Sequence, residues 1–367
     1  TGKIGLVKLA ERYKGAKMPH YRLVDLRHER KFKKMKGEFS SELLNELETT
    51  IEQHRQAILF QNRRGYAPYL TCQECAWIPK CSNCAVSLTY HLYRNELRCH
   101  YCGHTQAPPA ACSSCGSTNV KTVGSGTERL EDDLKLLLDT ARVQRMDLDT
   151  TRRKFSYQKI ISDFEEQKID VLVGTQMVSK GLDFDHVRLV GVFDADRMLH
   201  FPDFRSHERT FQMITQVGGR AGRRQDKGLV LIQTANTEQT VLKQVMRYDY
   251  EGFYAQEIQE RQSYFYPPFS RLIRLTIRNE NRAFTEQAAD LIANRLRQKL
   301  GKQRVLGPEE PIINRIRNLY LFNVLIKLER DRVNLKAIKK TVVEELRQIK
   351  SQPKYKRIDV VTDVDNL

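Results

Sequence analysis

Val171-Leu172-Val173-Gly174-Thr175-Gln176-Met177-Val178-Ser179-Lys180-Gly181-Leu182-Asp183 reads as a short apolar strand that runs straight into a loop of small, hydroxyl and charged residues. An apolar run without polar alternation is what a strand covered on both faces requires. The same signal recurs at Ala57-Ile58-Leu59-Phe60, Leu189-Val190-Gly191-Val192-Phe193 and Leu229-Val230-Leu231-Ile232, with a weaker copy at Val143-Gln144-Arg145-Met146. Helical patterns lie between them. Thr127 caps a helix that turns Leu130, Leu134 and Leu137 inward, and further helices are expected over 156–168 and 206–217. Strands alternating with helices predict an α/β fold with a parallel sheet covered on both faces.

Ligands of such sheets sit beyond the carboxyl ends of the strands. Small and hydroxyl residues in the loop after Val173 let phosphates approach the backbone, and Lys180 adds charge. Thr127 at a helix start and Thr175 and Gln176 at a strand end can offer backbone and hydroxyl donors to DNA phosphates. A second loop, Gln216-Val217-Gly218-Gly219-Arg220-Ala221-Gly222-Arg223, closes a predicted helix. Two arginines on one turn, with small residues between, can reach across a cleft to a transferring phosphoryl group. A solvated basic turn is the plainer reading of that loop alone; the two loops together favour nucleotide chemistry.

The chain has eight cysteines, and all fall in four Cys-x-x-Cys pairs: Cys72/Cys75, Cys81/Cys84, Cys99/Cys102 and Cys112/Cys115. Each pair on a tight turn presents two sulfurs to one metal, and two pairs complete a tetrahedral zinc site. Val86, Leu88 and Tyr90 alternate as a strand, and Arg94-Asn95-Glu96 is its turn. Knuckle, hairpin, knuckle is a zinc ribbon, so Cys81, Cys84, Cys99 and Cys102 form the inner site. Cys72, Cys75, Cys112 and Cys115 then form the outer one. With eight thiolates filling two sites, His100 and His104 are not needed as ligands, and no open position remains for catalytic water.

Lysine and arginine number 62 against 45 acidic residues, a net charge of +17. That excess points to a polyanion partner, nucleic acid before others. No stretch approaches a membrane span and no signal peptide opens the chain, so no membrane partner and a cytoplasmic location are expected. The first residue is Thr1 rather than Met, so a piece of something longer is expected. Ile4-Gly5-Leu6-Val7 and Tyr21-Arg22-Leu23-Val24 read as strands, residues 27–36 as a basic solvated loop, and Ser40 as the cap of a helix with Leu43, Leu47 and Ile51 on one face. Residues 237–266 are helical and aromatic up to Pro267-Pro268. Beyond lie a strand (272–277), a helix (283–299), strands near Ile312-Ile313 and over 319–328, a helix (335–349) and a strand (358–362). That is the β-α-β-β-α-β order of a ferredoxin-like, α+β domain.

Residues 174–183 resemble motif V of superfamily-two helicases, residues 216–223 match motif VI, and Phe60-Gln61-Asn62-Arg63-Arg64-Gly65-Tyr66 resembles the region of motif IV. A motor lobe interrupted by a two-zinc module after motif IV resembles the primosomal replication-restart helicases. Gly126-Thr127-Glu128, Pro202-Asp203-Phe204-Arg205-Ser206 and Pro267-Pro268-Phe269 agree with that family; Leu182 departs from it, where histidine is common. The resemblance implies an ATP-dependent 3′–5′ DNA helicase that recognises stalled forks and reassembles the primosome. Its implied partners are forked and single-stranded DNA, single-strand-binding protein and primosome proteins. Its implied cofactors are two structural zinc ions with ATP and Mg²⁺ in the full-length enzyme.

By resemblance, Arg220, Arg223 and Gln216 meet the ATP phosphates, and Gly181 and Asp183 lie on the nucleotide side, Asp183 near the sugar. The implied layout is a RecA-like second helicase lobe (57–71 and 120–235) carrying a zinc insertion (72–119). A connection from a first lobe (1–56) precedes it, and a helical linker (236–268) and the ferredoxin-like domain (269–367) follow. The Walker loop and acidic magnesium motif belong to the first lobe of the family. Neither is in this sequence; Thr1-Gly2-Lys3 is a decoy, since Ile4 stands where the hydroxyl must be. The alternative is a non-enzymatic zinc-ribbon adaptor or scaffold that binds nucleic acid. It fits the charge and the cysteines but not residues 216–223. Another superfamily-two translocase fits the motifs but not the paired knuckles.

Overall fold

The computed structural model describes residues 18–61, 69–84, 86–91, 95–123, 130–146, 155–175, 178, 184–193, 195–222, 228–330 and 333–364. The expected strand at Ile4-Gly5-Leu6-Val7 lies outside them. In chain order the elements begin β1 (His20–Asp25), α1 (Leu26–Lys31), α2 (Ser41–Glu52), β2 (Gln56–Gln61) and β3 (Tyr69–Cys72). The cysteine-rich stretch adds β4 (Thr89–His91), β5 (Glu96–Arg98), β6 (Thr105–Gln106) and β7 (Val120–Val123). Then come α3 (Leu130–Leu137), β8 (Val143–Met146), α4 (Ser156–Glu165), β9 (Val171–Gly174), β10 (Val187–Phe193), α5 (Ala195–Leu199), α6 (Ser206–Gly218) and β11 (Leu229–Thr234). The chain closes with α7 (Thr240–Met246), α8 (Tyr250–Ser263), β12 (Ser270–Asn279), α9 (Arg282–Leu300), β13 (Val305–Glu309), β14 (Arg315–Ile316), β15 (Leu319–Glu329), α10 (Leu335–Ser351) and β16 (Asp359–Val364). These elements fall into two compact units, one from Thr1–Arg63, Ser125–Leu199 and His207–Tyr250, the other from Arg64–Gly124, His200–Ser206 and Glu251–Leu367.

The first unit is built on a six-stranded sheet, order β1-β11-β10-β2-β9-β8, parallel throughout. Ala57, Leu59, Val171, Val173, Leu189 and Leu231 enter one core with Leu43, Leu44 and Leu47 of α2 and Leu130 and Leu134 of α3. The alternate residues Ile58, Phe60, Leu172, Val190, Val192 and Ile232 are buried as well. Both faces are therefore covered, which is why the strands read as unbroken apolar runs.

Residues 1–56, expected as a connection, are more than that from His20 onward. β1 pairs in parallel with β11, His20 opposite Leu229 through Asp25 opposite Thr234. α2 is capped by Ser40, whose Oγ accepts from Leu43 N–H at 3.2 Å, and packs onto the same sheet. The partner strand lies some two hundred residues downstream, a distance no local pattern encodes. The basic stretch expected as a loop opens instead with helix α1, capped by Asp25, which accepts from the Arg27 and His28 amides.

The second unit joins the cysteine-rich stretch to the C-terminal domain. β12, β13, β15 and β16 form an antiparallel sheet in the order β13-β15-β12-β16, the split βαβ arrangement. Ile273, Leu275, Ile277, Val324 and Ile326 pack one of its faces against Ala289, Ile292 and Leu296 of α9 and Val342 and Ile349 of α10. Ile312-Ile313, expected as a strand, is not one; the strand is β13, and Ile313 is exposed. β13 contains Gly307 and Pro308, residues that argue locally against a strand, and its register with β15 shifts between Leu306 and Glu309.

The other sheet face gives Leu272 and Leu325 to a separate core with Leu70, Val86, Leu88, Leu97, Tyr101 and Tyr266. The zinc stretch, expected as an insertion of the α/β lobe, thus shares its core with the C-terminal domain. Residues 236–268, expected as one helical linker, divide between the units: α7 lies in the first and nearly all of α8 in the second.

Candidate metal centres and phosphate-facing edges

Three of the four knuckles are built alike. The amide of the residue after the second cysteine folds back on the first: Ala76 N–H donates to Cys72 O, Gly103 N–H to Cys99 O and Gly116 N–H to Cys112 O, each at 2.9 Å. The residue after the second cysteine is left-handed in these three, with φ of 58° at Ala76, 76° at Gly103 and 75° at Gly116. Glycine takes that conformation without strain, which explains Gly103 and Gly116.

The knuckles pair in the nested order. Cys72, Cys75, Cys112 and Cys115 form one group and Cys81, Cys84, Cys99 and Cys102 another, with ligand atoms within 4.8 Å of one another. Sulfur separations are 3.6 Å for Cys72–Cys115, 3.5 Å for Cys75–Cys112 and 3.7 Å for Cys81–Cys102. A tetrahedron with metal–sulfur bonds of about 2.3 Å has edges of about 3.8 Å. Four soft thiolates at that spacing suit zinc, and all eight cysteines are free of disulfides. β4 and β5 form the hairpin between the inner knuckles, and β6, after the second of them, pairs with β5. His100 is in neither ligand group; its Nδ1 lies 2.6 Å from Glu310 O, and burial pulls it down to about 4. Trp77 is half-buried beside the outer knuckle, its carbonyl accepting from Cys72 N–H at 2.9 Å.

The inner site is enclosed by groups that cysteine spacing does not announce. Cys81, Cys84 and Cys99 are buried, whereas Cys115 of the outer site is exposed. Tyr266 donates its hydroxyl to Cys84 O at 3.0 Å and stacks on Phe204 at 4.4 Å and 6°. Two of the sequence signatures, 202–206 and the stretch before Pro267, meet in that stack. Lys327 of β15 places Nζ 3.9 Å from the centre of the Tyr266 ring and donates to Tyr264 O at 2.6 Å. Burial pulls Lys327 down to about 8, opposed by the charges of Cys84 and Cys102. Arg98, next to Cys99, forms a two-pronged ion pair with Glu309 of β13, one prong at 3.0 Å. Burial pushes Glu309 up to about 7, with Arg98 pulling the other way.

In the first unit every strand points the same way, so Thr175 leaves β9 at the carboxyl edge of the sheet. Gly174 has a specific reason to be glycine: a Cβ there would lie 2.2 Å from Val178 Cγ1 and 3.1 Å from Met146 O. Thr175 O accepts from Val178 N–H at 3.1 Å, so the chain turns immediately. Gln216 and Arg220 are elsewhere. α6 returns the chain to the opposite edge, where Gly222 N–H donates to Val187 O, the first residue of β10, at 3.0 Å. Gly174 is level with Phe60 and Val192, five residues beyond Val187, so about 16 Å of strand separates the loops. Gln216 is exposed, and Arg220 is buried at the end of α6. Thr127, Gln176, Lys180, Gly181, Asp183 and Arg223 lie outside the described residues.

Residues 81–106 match the family model described as the PriA DNA helicase Cys-rich region (CRR) domain. Residues 118–225 match the helicase conserved C-terminal domain, and residues 262–367 the primosomal protein N C-terminal domain. Replication restart protein PriA of Bacillus subtilis is 42% identical over 344 residues, which cover 94% of this chain and 42% of that protein. The chain belongs to the PriA family. Other members with the same name are those of Synechocystis, 39% identical over 88% of this chain and 39% of its own length, and Haemophilus influenzae, 34% identical over 100% and 49%. The chain therefore spans less than half the length of these family members. Among the described residues no helix is long and apolar enough to cross a membrane.

Proposed function

We propose that this chain forms the second motor lobe, zinc module and C-terminal domain of an ATP-dependent 3′–5′ DNA helicase. That enzyme recognises stalled or abandoned replication forks and restarts replication through primosome assembly. The observation that carries the reading is the union, in one chain, of a parallel-sheet lobe whose sequence includes Gln216–Arg223 with two nested Cys₄ sites. A scaffold or adaptor has use for the cysteines but none for that loop. In this reading the eight cysteines hold two structural zinc ions. Thr127, Thr175, Gln176 and Lys180 contact DNA at the carboxyl edge. Gln216, Arg220 and Arg223 face ATP and Mg²⁺ from the amino edge, with Gly181 and Asp183 also on the nucleotide. Single-strand-binding protein and primosome proteins are the protein partners. A cytoplasmic location follows from the work on chromosomal DNA.

The zinc ions supply cross-links that order the knuckles; every ligand position is a thiolate, so they take no part in hydrolysis. The motor chemistry falls to the arginines, whose guanidinium groups offset charge developing on the transferring phosphoryl group. The test is Arg223→Ala in the full-length protein, measured by DNA-stimulated ATPase alongside zinc content and DNA binding. Turnover should fall by roughly 10³ or more while the other two stay normal, and Arg223→Lys should not restore it, since an ammonium lacks the planar fork. A folded Arg223→Ala enzyme with most of its ATPase would refute the assignment, as would DNA-stimulated ATPase from the 367-residue chain alone.

A further inference from the structure

We infer that Lys327 is the counter-ion of the inner metal–thiolate centre, so that the C-terminal domain completes the metal site it packs against. The inference rests on the inner cysteines holding zinc. A divalent ion with four thiolates carries two net negative charges. At the outer site Cys115 is exposed and Cys75 half-exposed, and water can solvate that charge. At the inner site Cys81, Cys84 and Cys99 are buried within a core of Val86, Leu88, Leu97, Leu272 and Leu325. Burying net charge without compensation is costly.

Lys327 is placed to compensate. It projects from β15 on the same sheet face as Leu325. Its Nζ is held by Tyr264 O and the face of Tyr266, and the Tyr266 hydroxyl in turn reaches Cys84 O. The core it enters through Leu325, Tyr264 and Tyr266 is the one that holds Cys84 and Cys102, whose charge opposes the effect of burial on it. An ammonium drawn out of water needs a negative neighbour, and here the thiolates are that neighbour. Outer-shell partners of metal ligands typically contribute tenfold to a hundredfold in metal affinity.

The experiment measures zinc transfer from the whole chain to a chromophoric chelator, with the kinetic phase that Cys115→Ser removes assigned to the outer site. Lys327→Met should speed loss or weaken affinity of the inner zinc by about tenfold or more and leave the outer phase unchanged. Lys327→Arg should retain most of the wild-type behaviour, since it keeps the charge. Lys327→Gln serves as a second neutral variant should Met not be accommodated, and Leu325→Ala serves as a packing control. Inner-site zinc unchanged in a folded neutral variant would overturn the inference, as would an equal loss in Leu325→Ala. A wild-type chain that binds no zinc at the inner cysteines would overturn the metal reading itself.

Discussion

Replacing Arg98 with methionine tests whether the ribbon and the C-terminal domain are tied by a permanent ion pair or by a carboxyl group that can take a proton. Arg98 faces Glu309 in an ion pair and Glu96 at 3.6 Å. Glu309 is almost wholly enclosed, faces His100 at 3.8 Å, and is pushed by burial from an ordinary 4.5 to about 7. A carboxyl raised in this way holds its proton in the folded state between those two values. Stability therefore falls as pH rises through that window, and the loss stops above it, where the carboxylate is ionised and Arg98 supports it.

Without Arg98, Glu309 stays protonated and the decline continues. The part of the added cost that varies with pH cannot exceed that of holding the proton against a folded pKa of about 7. That ceiling is about 0.1, 0.4 and 1.4 kcal/mol at pH 6, 7 and 8. Methionine keeps the apolar stem, so packing changes little. The assay is urea unfolding of the zinc-loaded chain followed by Trp77 emission, wild type against Arg98→Met, at the three pH values. A permanently charged buried pair would instead lose about 3–5 kcal/mol throughout. A constant penalty of that size, or no penalty at pH 8, would refute the reasoning.

Two further substitutions probe the nesting of the knuckles and the turn after β9. Cys99→Ser should release one zinc and leave the outer site filled, read by elemental analysis; loss of both together would contradict independent nested sites. Gly174→Ala forces a Cβ to within 2.2 Å of Val178 Cγ1, so it should destabilise the first unit by about 1–3 kcal/mol in urea, and Val178→Ala should restore part of it; an unchanged midpoint for Gly174→Ala would show that the turn yields freely.

What could be read from sequence was whatever a single stretch encodes. Buried parallel strands betray themselves by apolar runs, so β2, β9, β10 and β11 stand close to where the pattern puts them. The knuckles are legible because a metal imposes its own spacing on the chain, and the ribbon between Cys84 and Cys99 settles the order of pairing. β1 was legible as a strand over residues 21–24, but its place in the sheet was not, because its partner β11 is remote. β13 escaped because Gly307 and Pro308 disguise it. Tyr266, Lys327, Arg98 and Glu309 escaped for another reason: each is an ordinary residue in its own segment and gains meaning only from what folding sets beside it. Aromatic density over 248–266 was a visible signal for Tyr266, but nothing marked Lys327.

The separation of the two loops bears on how a lobe of this kind works. Helix α6 has 13 residues, about 20 Å, enough to carry the chain from one edge of the sheet to the other. Arg220 and Thr175 therefore cannot share one phosphate. On the proposed reading the two edges have different tasks, nucleotide at the amino edge and DNA backbone at the carboxyl edge. The strands between them are stiff: β2, β9, β10 and β11 are paired in register and buried on both faces. Packed interiors do not deform continuously, so a displacement imposed at Arg220 by ATP would reach Thr175 as a movement of the whole lobe. Coupling of hydrolysis to translocation then needs no flexible relay inside this domain, and substitutions in the sheet core should alter stability before they alter coupling.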